Sequence, residues 1–231
     1  MALDSYSYCP GGTGKKIKFC CTSEVTGELE KCIRQIDGEQ RMAALDQINR
    51  SLQLFPDRAC LLALKVNVLI GLQELDKAKE TITHFLQKNP GNPVALAQAA
   101  ILAVIEGNDI DSASVFLQSA LSQMGNVMMP EIFQAIGILA QAQLEAGRVE
   151  AAQPLFIMQA AVTKGEDRMA LSALAEIAGS RQIPLLLRME WRQHPAPAGQ
   201  PWTQQYQEID VLANQGCWSL AQSQLVELNQ K

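Results

Sequence analysis

The chain has 231 residues, a formal net charge of −5, 48% hydrophobic and 5% aromatic residues. That length and apolarity fit one extended helical domain or two small ones, and exclude a disordered chain. The acidic balance excludes a basic nucleic-acid footprint over the whole chain. No apolar run reaches the ~18–20 residues a membrane span needs; the nearest, 94–105, is interrupted by Gln98. Residues 1–18 lack the apolar core of a secretory signal, so the expected location is the cytoplasm.

Residues 1–23 have no helical period and hold Gly, Pro, Lys and three of the six cysteines, Cys9, Cys20 and Cys21. From 27 to 36 the pattern becomes helical, with Leu29, Ile33 and Ile36 on one face, and Gly38 is expected to end it. A second helix is expected over 39–54, closed by Pro56. The next pair is 58–71 and 76–87, with Asp76 as the expected N-cap. Asn89-Pro90-Gly91-Asn92 is a turn. Next come 94–106 paired with 111–123, and 132–145, led by Pro130, paired with 149–162. Further helical runs cover 168–179, 202–214 and 219–228. The segment 183–191 is strongly apolar, and the prolines of 194–201 mark a linker.

Pro56 and Pro90 stand 34 residues apart, and the residues preceding them align: Ala44 with Ala78, Ile48 with Ile82. This period is the mark of paired-helix repeats that stack into a solenoid. Ala113 and Leu117 carry the pattern one residue late, and Ala152 and Phe156 fill the small and large sites of the fourth pair. These units resemble tetratricopeptide repeats over roughly half the chain. The second matches best, through Leu62, Leu69, Ala78, Ile82 and Pro90. It departs at Val66 and Phe85, where that family has small residues, and at Lys65, an apolar site. The resemblance implies an all-α, right-handed superhelical solenoid. The expected organisation is a knuckle over 1–23, repeats over 24–165 and additional helices over 166–231. The last helix leaves Leu220, Leu225 and Leu228 without a capping element, which points to a longer parent chain or a covering partner.

The run from Tyr8 through Cys9-Pro10-Gly11-Gly12-Thr13-Gly14-Lys15-Lys16 to Phe19-Cys20-Cys21 resembles the SEC-C zinc motif of bacterial proteins. Cys9, Cys20 and Cys21 fall on three of that motif's four ligand positions, and Gly11 stands where its second cysteine belongs. A structural zinc site is closed by four donors. Cys32, eleven residues beyond Cys21, is the expected fourth ligand, or water in its place. Two readings stand beside zinc: a knuckle folded without metal by packing Tyr6, Tyr8, Ile17 and Phe19 on the first repeat, and a disulfide from Cys9 to Cys20 or Cys21. Cys60 and Cys217 lie in apolar runs and read as small buried hydrophobes.

Catalytic constellations are lacking. Gly-Gly-Thr-Gly-Lys-Lys misses the first glycine and the final Ser/Thr of a phosphate loop. His84 has no acid paired with it by sequence, and His194 precedes a proline. Lys15, Lys16 and Lys18 give weak, salt-sensitive nucleic-acid contact at most. The resemblance to tetratricopeptide repeats implies a docking face on the first helix of each pair. By alignment it includes Leu64, Asn67, Ile70 and Ile101 with Ala63 and Ala97. Val104, Ile138 and Gln141 extend it. The expected role is a non-catalytic module that binds another protein, or another domain of its own parent chain. The alternatives are a zinc- or redox-responsive regulator acting through Cys9, Cys20 and Cys21, and a homo-oligomer joined by the C-terminal helices.

Overall fold

The computed structural model describes residues 4–125, 127–178, 199–214 and 217–230. Their secondary structure is helical apart from one isolated antiparallel bridge, Tyr8 with Lys16. A short turn, α1 (Ile17–Cys20), precedes four successive hairpins: α2 (Ser23–Asp37) with α3 (Arg41–Leu54), α4 (Ala59–Gly71) with α5 (Leu75–Lys88), α6 (Pro93–Gly107) with α7 (Ile110–Gln123), and α8 (Pro130–Glu145) with α9 (Val149–Val162). α10 (Glu166–Ala178) packs on α9, and the last pair, α11 (Thr203–Asn214) and α12 (Trp218–Asn229), lies against α7 through α12. The last pair therefore covers a second helix. The apolar 183–191 segment and residues 194–198 of the linker lie outside the described residues.

One rule sets the packing inside each hairpin. The fourth residue of each second helix is an alanine, namely Ala44, Ala78, Ala113 and Ala152, and each is fully buried. One turn later stands a large residue on the same face, Ile48, Ile82, Leu117 or Phe156, again buried. The alanine lets two helix backbones approach closely, and the large residue fills the space beside that contact. The late register of Ala113 is therefore accommodated without loss of the contact.

The first helices are joined to one another as well as to their partners: α2 touches α4, α4 touches α6, and α6 touches α8. This explains the composition of α4 and α6, apolar almost all round and buried along most of their length. One buried amide inside them ties two first helices together. Gln98 is fully buried on α6 and donates through Nε2 to the Ala63 carbonyl (2.8 Å) and to Asn67 Oδ1 (2.7 Å) on α4. A residue that reads in sequence as an interruption is thus a tie between two first helices.

Helix boundaries differ from expectation at the turns. Each hairpin turn carries one residue with left-handed backbone, two before the second helix: Glu39 (φ 57°), Gln73 (φ 61°), Asn108 (φ 49°) and Gly147 (φ 73°). The next backbone N–H reaches back to a carbonyl of the first helix, as from Gln40 to Gln35 (2.9 Å) and from Glu74 to Leu69 (3.0 Å). This is the closure that ends a helix by satisfying its last carbonyls. Gly38 ends α2 as its C-cap, as expected, with φ −84°, and the left-handed position falls to Glu39. Asp76 lies in the first turn of α5 beyond its N-cap position, Glu74. The caps with side-chain bonds are instead Thr22 on α2, Asn92 on α6 and Asp109 on α7.

Between α2 and α3, Glu28 gathers Lys31 (2.7 Å), Gln47 (2.5 Å) and Ser51 (3.0 Å). The Lys31 ammonium foremost, against a penalty from burial and helped less by Ser51 and Gln47, holds its carboxyl below the usual glutamate value. Its contribution is therefore present above the unfolded value near 4.5 and is lost as pH falls through the lower folded value. Glu28→Gln is expected to lower stability at pH 7 by about 1 kcal/mol and to flatten the stability loss below about pH 4.5, read by denaturant titration across pH. In the turns, Gly147→Ala is expected to cost about 1 kcal/mol, while Glu39→Gly leaves stability unchanged or raises it slightly; melting curves of the two variants check both.

Candidate metal centre

The knuckle is built from a few backbone bonds. Cys9 N–H donates to the Lys15 carbonyl (2.8 Å) and Ile17 N–H to the Ser7 carbonyl (2.9 Å), pairing residues 7–9 with 15–17. The loop between turns through Gly12 (φ 66°) and Gly14 (φ 69°). It closes on Gly12 N–H bonded to the Cys9 carbonyl (3.1 Å). α1 then carries Cys20 and delivers Cys21 at its C-terminal cap. Ile17 points inward and is buried.

Cys9, Cys20 and Cys21 present their sulfurs within 4.8 Å of one another, a group able to hold a metal ion. Cys9 and Cys21 are buried, Cys20 partly so. The Cys9 and Cys21 sulfurs are 4.0 Å apart, and Cys20 Sγ lies 3.2 Å from Thr13 Oγ1. All three thiols are free, and 4.0 Å is about twice a disulfide bond length.

Cys32 is not in this group. It is the tenth residue of α2, and the helix rise carries it roughly 14 Å beyond the start of that helix. It is fully buried between α2 and α3, where burial, then the Glu28 carboxylate, push its thiol up to about 11 against a smaller pull from Ser51. The thiol that does reach the group is Cys60, the second residue of α4. Its sulfur lies 3.8 Å from Cys21 Sγ. Cys60 is a small buried residue of the core, as expected, but it lies beside other thiols. The signal in the sequence was available, since a cysteine at a helix start, after the Pro56-Asp57 turn, is placed where a helix N-terminus favours a thiolate.

These thiols raise each other's pKa. The Cys21 contact, with burial, pushes Cys9 up to about 12, and the Cys60 contact, with burial, does the same to Cys21. For Cys60 the Cys21 contact acts downward, but the Cys9 contact and burial outweigh it and the thiol again stands at about 12. The net upward direction at all three disfavours negative charge in this group, and a bound divalent ion reverses that balance.

Gly11 and Asn92 seat the knuckle on the hairpins. A Cβ at Gly11 would meet the Cys60 backbone nitrogen and stand 2.6 Å from the Ala59 carbonyl carbon and 2.8 Å from Ala59 Cβ. No side chain fits there, which is a physical reason for glycine at that position. Asn92 is buried and does two jobs: Oδ1 accepts from Val94 and Ala95 N–H (3.0 Å each) to cap α6, and Nδ2 donates to the Gly11 carbonyl (2.8 Å). Of the four aromatic or aliphatic residues expected to pack the knuckle down, Ile17 alone does so. Tyr6, Tyr8 and Phe19 are exposed. Lys18 lies over the Tyr6 ring at 3.6 Å, and Lys16 also faces it.

The expected docking face is largely spent on the chain itself. Leu64 and Ile101 are buried, like Ala63 and Ala97. Ile70, Val104 and Ile138 are half-buried against the core formed by α6, α7 and α8. Asn67 bonds Glu131 Oε1 (3.1 Å), and exposed Gln141 bonds Glu145 (2.7 Å). His84 does have an acid, from another element: Asp57 Oδ1 lies 2.7 Å from its Nε2, with Lys88 on the other carboxylate oxygen. That exposed triplet pins the α3–α4 turn to α5.

The seating of Gly11 has a direct test. Gly11→Ala is expected to destabilise the metal-free, reduced protein by about 1–3 kcal/mol, because backbone on both sides must move. Asn92→Ala is expected to cost about 1–2 kcal/mol through its lost cap and anchor. Denaturant unfolding in the presence of a chelator reads both. Set against protein-family models, curated proteins and solved structures, the chain matches none, so its thiols and its helix packing carry the functional assignment.

Proposed function

We propose that this chain is a non-catalytic interaction module, a solenoid of tetratricopeptide-like hairpins that holds an amphipathic helix of a partner protein along its first helices. The observation that supports this most is the row of first helices α4, α6 and α8, which touch in order. They keep Ile70, Val104 and Ile138 half-exposed between the polar ends of Asn67 and Gln141. The partner surface that fits the half-exposed Ile70, Val104 and Ile138 is the apolar side of an amphipathic helix. Val104→Glu with Ile138→Glu changes two half-exposed positions, and the fold is checked by circular dichroism. The wild-type chain is expected to capture a partner from its source lysate that the double variant binds at least about tenfold more weakly. Capture unaltered by the substitutions, or none at all, overturns this reading.

A second reading is favoured by the thiol group: the knuckle holds zinc. Three buried or half-buried thiols within 4.8 Å of one another are the soft donor set that zinc selects. Bound zinc would supply a fixed charge and four directed bonds to a unit with little core of its own. Elemental analysis of reduced protein is expected to give near one zinc per chain; none bound and none taken up ends this reading.

A further inference from the structure

We propose that Cys60 of α4 is the fourth ligand, so that Cys9, Cys20, Cys21 and Cys60 form a tetrathiolate zinc site bridging the knuckle and the second hairpin. This rests on the zinc reading above and names the residue that closes the site. Sulfurs bound to zinc at about 2.3 Å in a tetrahedron stand about 3.8 Å from one another. The Cys21–Cys60 distance is 3.8 Å and the Cys9–Cys21 distance 4.0 Å, with Cys20 inside 4.8 Å of both knuckle partners. Cys60 shares one buried core cluster with Cys9 and Cys21. Its sulfur stands at ligand spacing from Cys21; it lies outside the group whose sulfurs are all within 4.8 Å of one another, so closing the site draws it toward the other two thiols.

Gly11 explains why the donor comes from α4. The backbone of Ala59 and Cys60 occupies the space that a Cβ on Gly11 would need. A second cysteine in the knuckle loop is sterically excluded, and the same approach that excludes it brings Cys60 to the site. The start of α4 adds the partial positive charge of a helix N-terminus to a sulfur that must be anionic to bind metal. Asn92, through the Gly11 carbonyl, fixes the loop to α6 and keeps this approach in register. The closed site is thus a staple between residues far apart in sequence, and its loss loosens the joint between the knuckle and the hairpins.

The test uses the 231-residue chain loaded with cobalt(II) in place of zinc, under reducing conditions. The wild type is expected to show the visible and charge-transfer absorption of four-sulfur tetrahedral cobalt. Cys60→Ser is expected to shift those bands to a three-sulfur spectrum and to weaken zinc binding at least about tenfold, the lower end of what losing even an outer-shell partner costs. Cys32→Ser is expected to leave spectrum and affinity as in the wild type. A three-sulfur spectrum in the wild type, or a four-sulfur spectrum that survives in Cys60→Ser, overturns the proposal while leaving the zinc reading intact. A wild-type chain that binds neither metal overturns both. Should Cys60→Ser fail to fold, X-ray absorption counting of sulfurs around zinc in the wild type decides alone, with four expected and three fatal.

Discussion

The close approach of helix backbones at four buried alanines is the constraint on which the hairpin array rests. Ala44, Ala78, Ala113 and Ala152 each occupy the fourth position of a second helix, with no exposed surface. A longer side chain at any of them would push the two helices apart and uncover the large residue one turn on. The constraint is local to each hairpin, so spacing between hairpins can drift, as it does at the third and fourth pairs. It also determines which faces remain for contacts between hairpins. Those contacts run along α4 and α6, which is why these helices are apolar on nearly every side.

A second close approach, of Gly11 to the start of α4, governs the N-terminal end. It depends on the first only indirectly, through the placement of α4 and α6. The knuckle itself has few means of holding shape: a few backbone bonds, one buried isoleucine and a thiol group. Its attachment comes from the outside, through Asn92 and the backbone of Ala59 and Cys60. Asn92 joins cap and anchor in one side chain, so the conformation that starts α6 also presents the amide that receives the loop.

Much of the hairpin array is legible in the sequence because its determinants are periodic. The alanine and aliphatic spacing from Ala44 to Phe156 locates the paired helices and puts each with its neighbour. The turns are less legible. The left-handed positions fall on Glu39, Gln73 and Asn108 as well as on Gly147, and neither glutamate nor glutamine advertises that conformation. The site is half legible. Cys9, Cys20 and Cys21 are local in sequence and carry a spacing; Cys60 is brought in by the tertiary path of two intervening helices, which no spacing records. Cys32 attracts attention by nearness in sequence, but a helix separates its residues along a straight axis, so nearness in sequence becomes distance in space.

The balance of charge at the thiols ties these levels together. Crowded, buried thiols hold their protons, as the upward shifts at Cys9, Cys21 and Cys60 record. The metal-free joint is therefore a neutral, weakly bonded contact, held mainly by packing at Gly11 and Ile17. Metal entry would remove protons and replace weak S–H contacts with directed bonds, so that binding energy becomes energy of the joint. The segment enclosed between Cys21 and Cys60 is the first hairpin, α2 with α3. That hairpin is also fastened to the second one by the packing of α3 and of α2 on α4. A bond from Cys21 to Cys60 would close a loop around it and limit its freedom when the surrounding contacts open. With Cys60 as a ligand, the path through a bound metal would reach α4, the helix on which the neighbouring hairpins stack, and the knuckle would then serve as an end piece for the array.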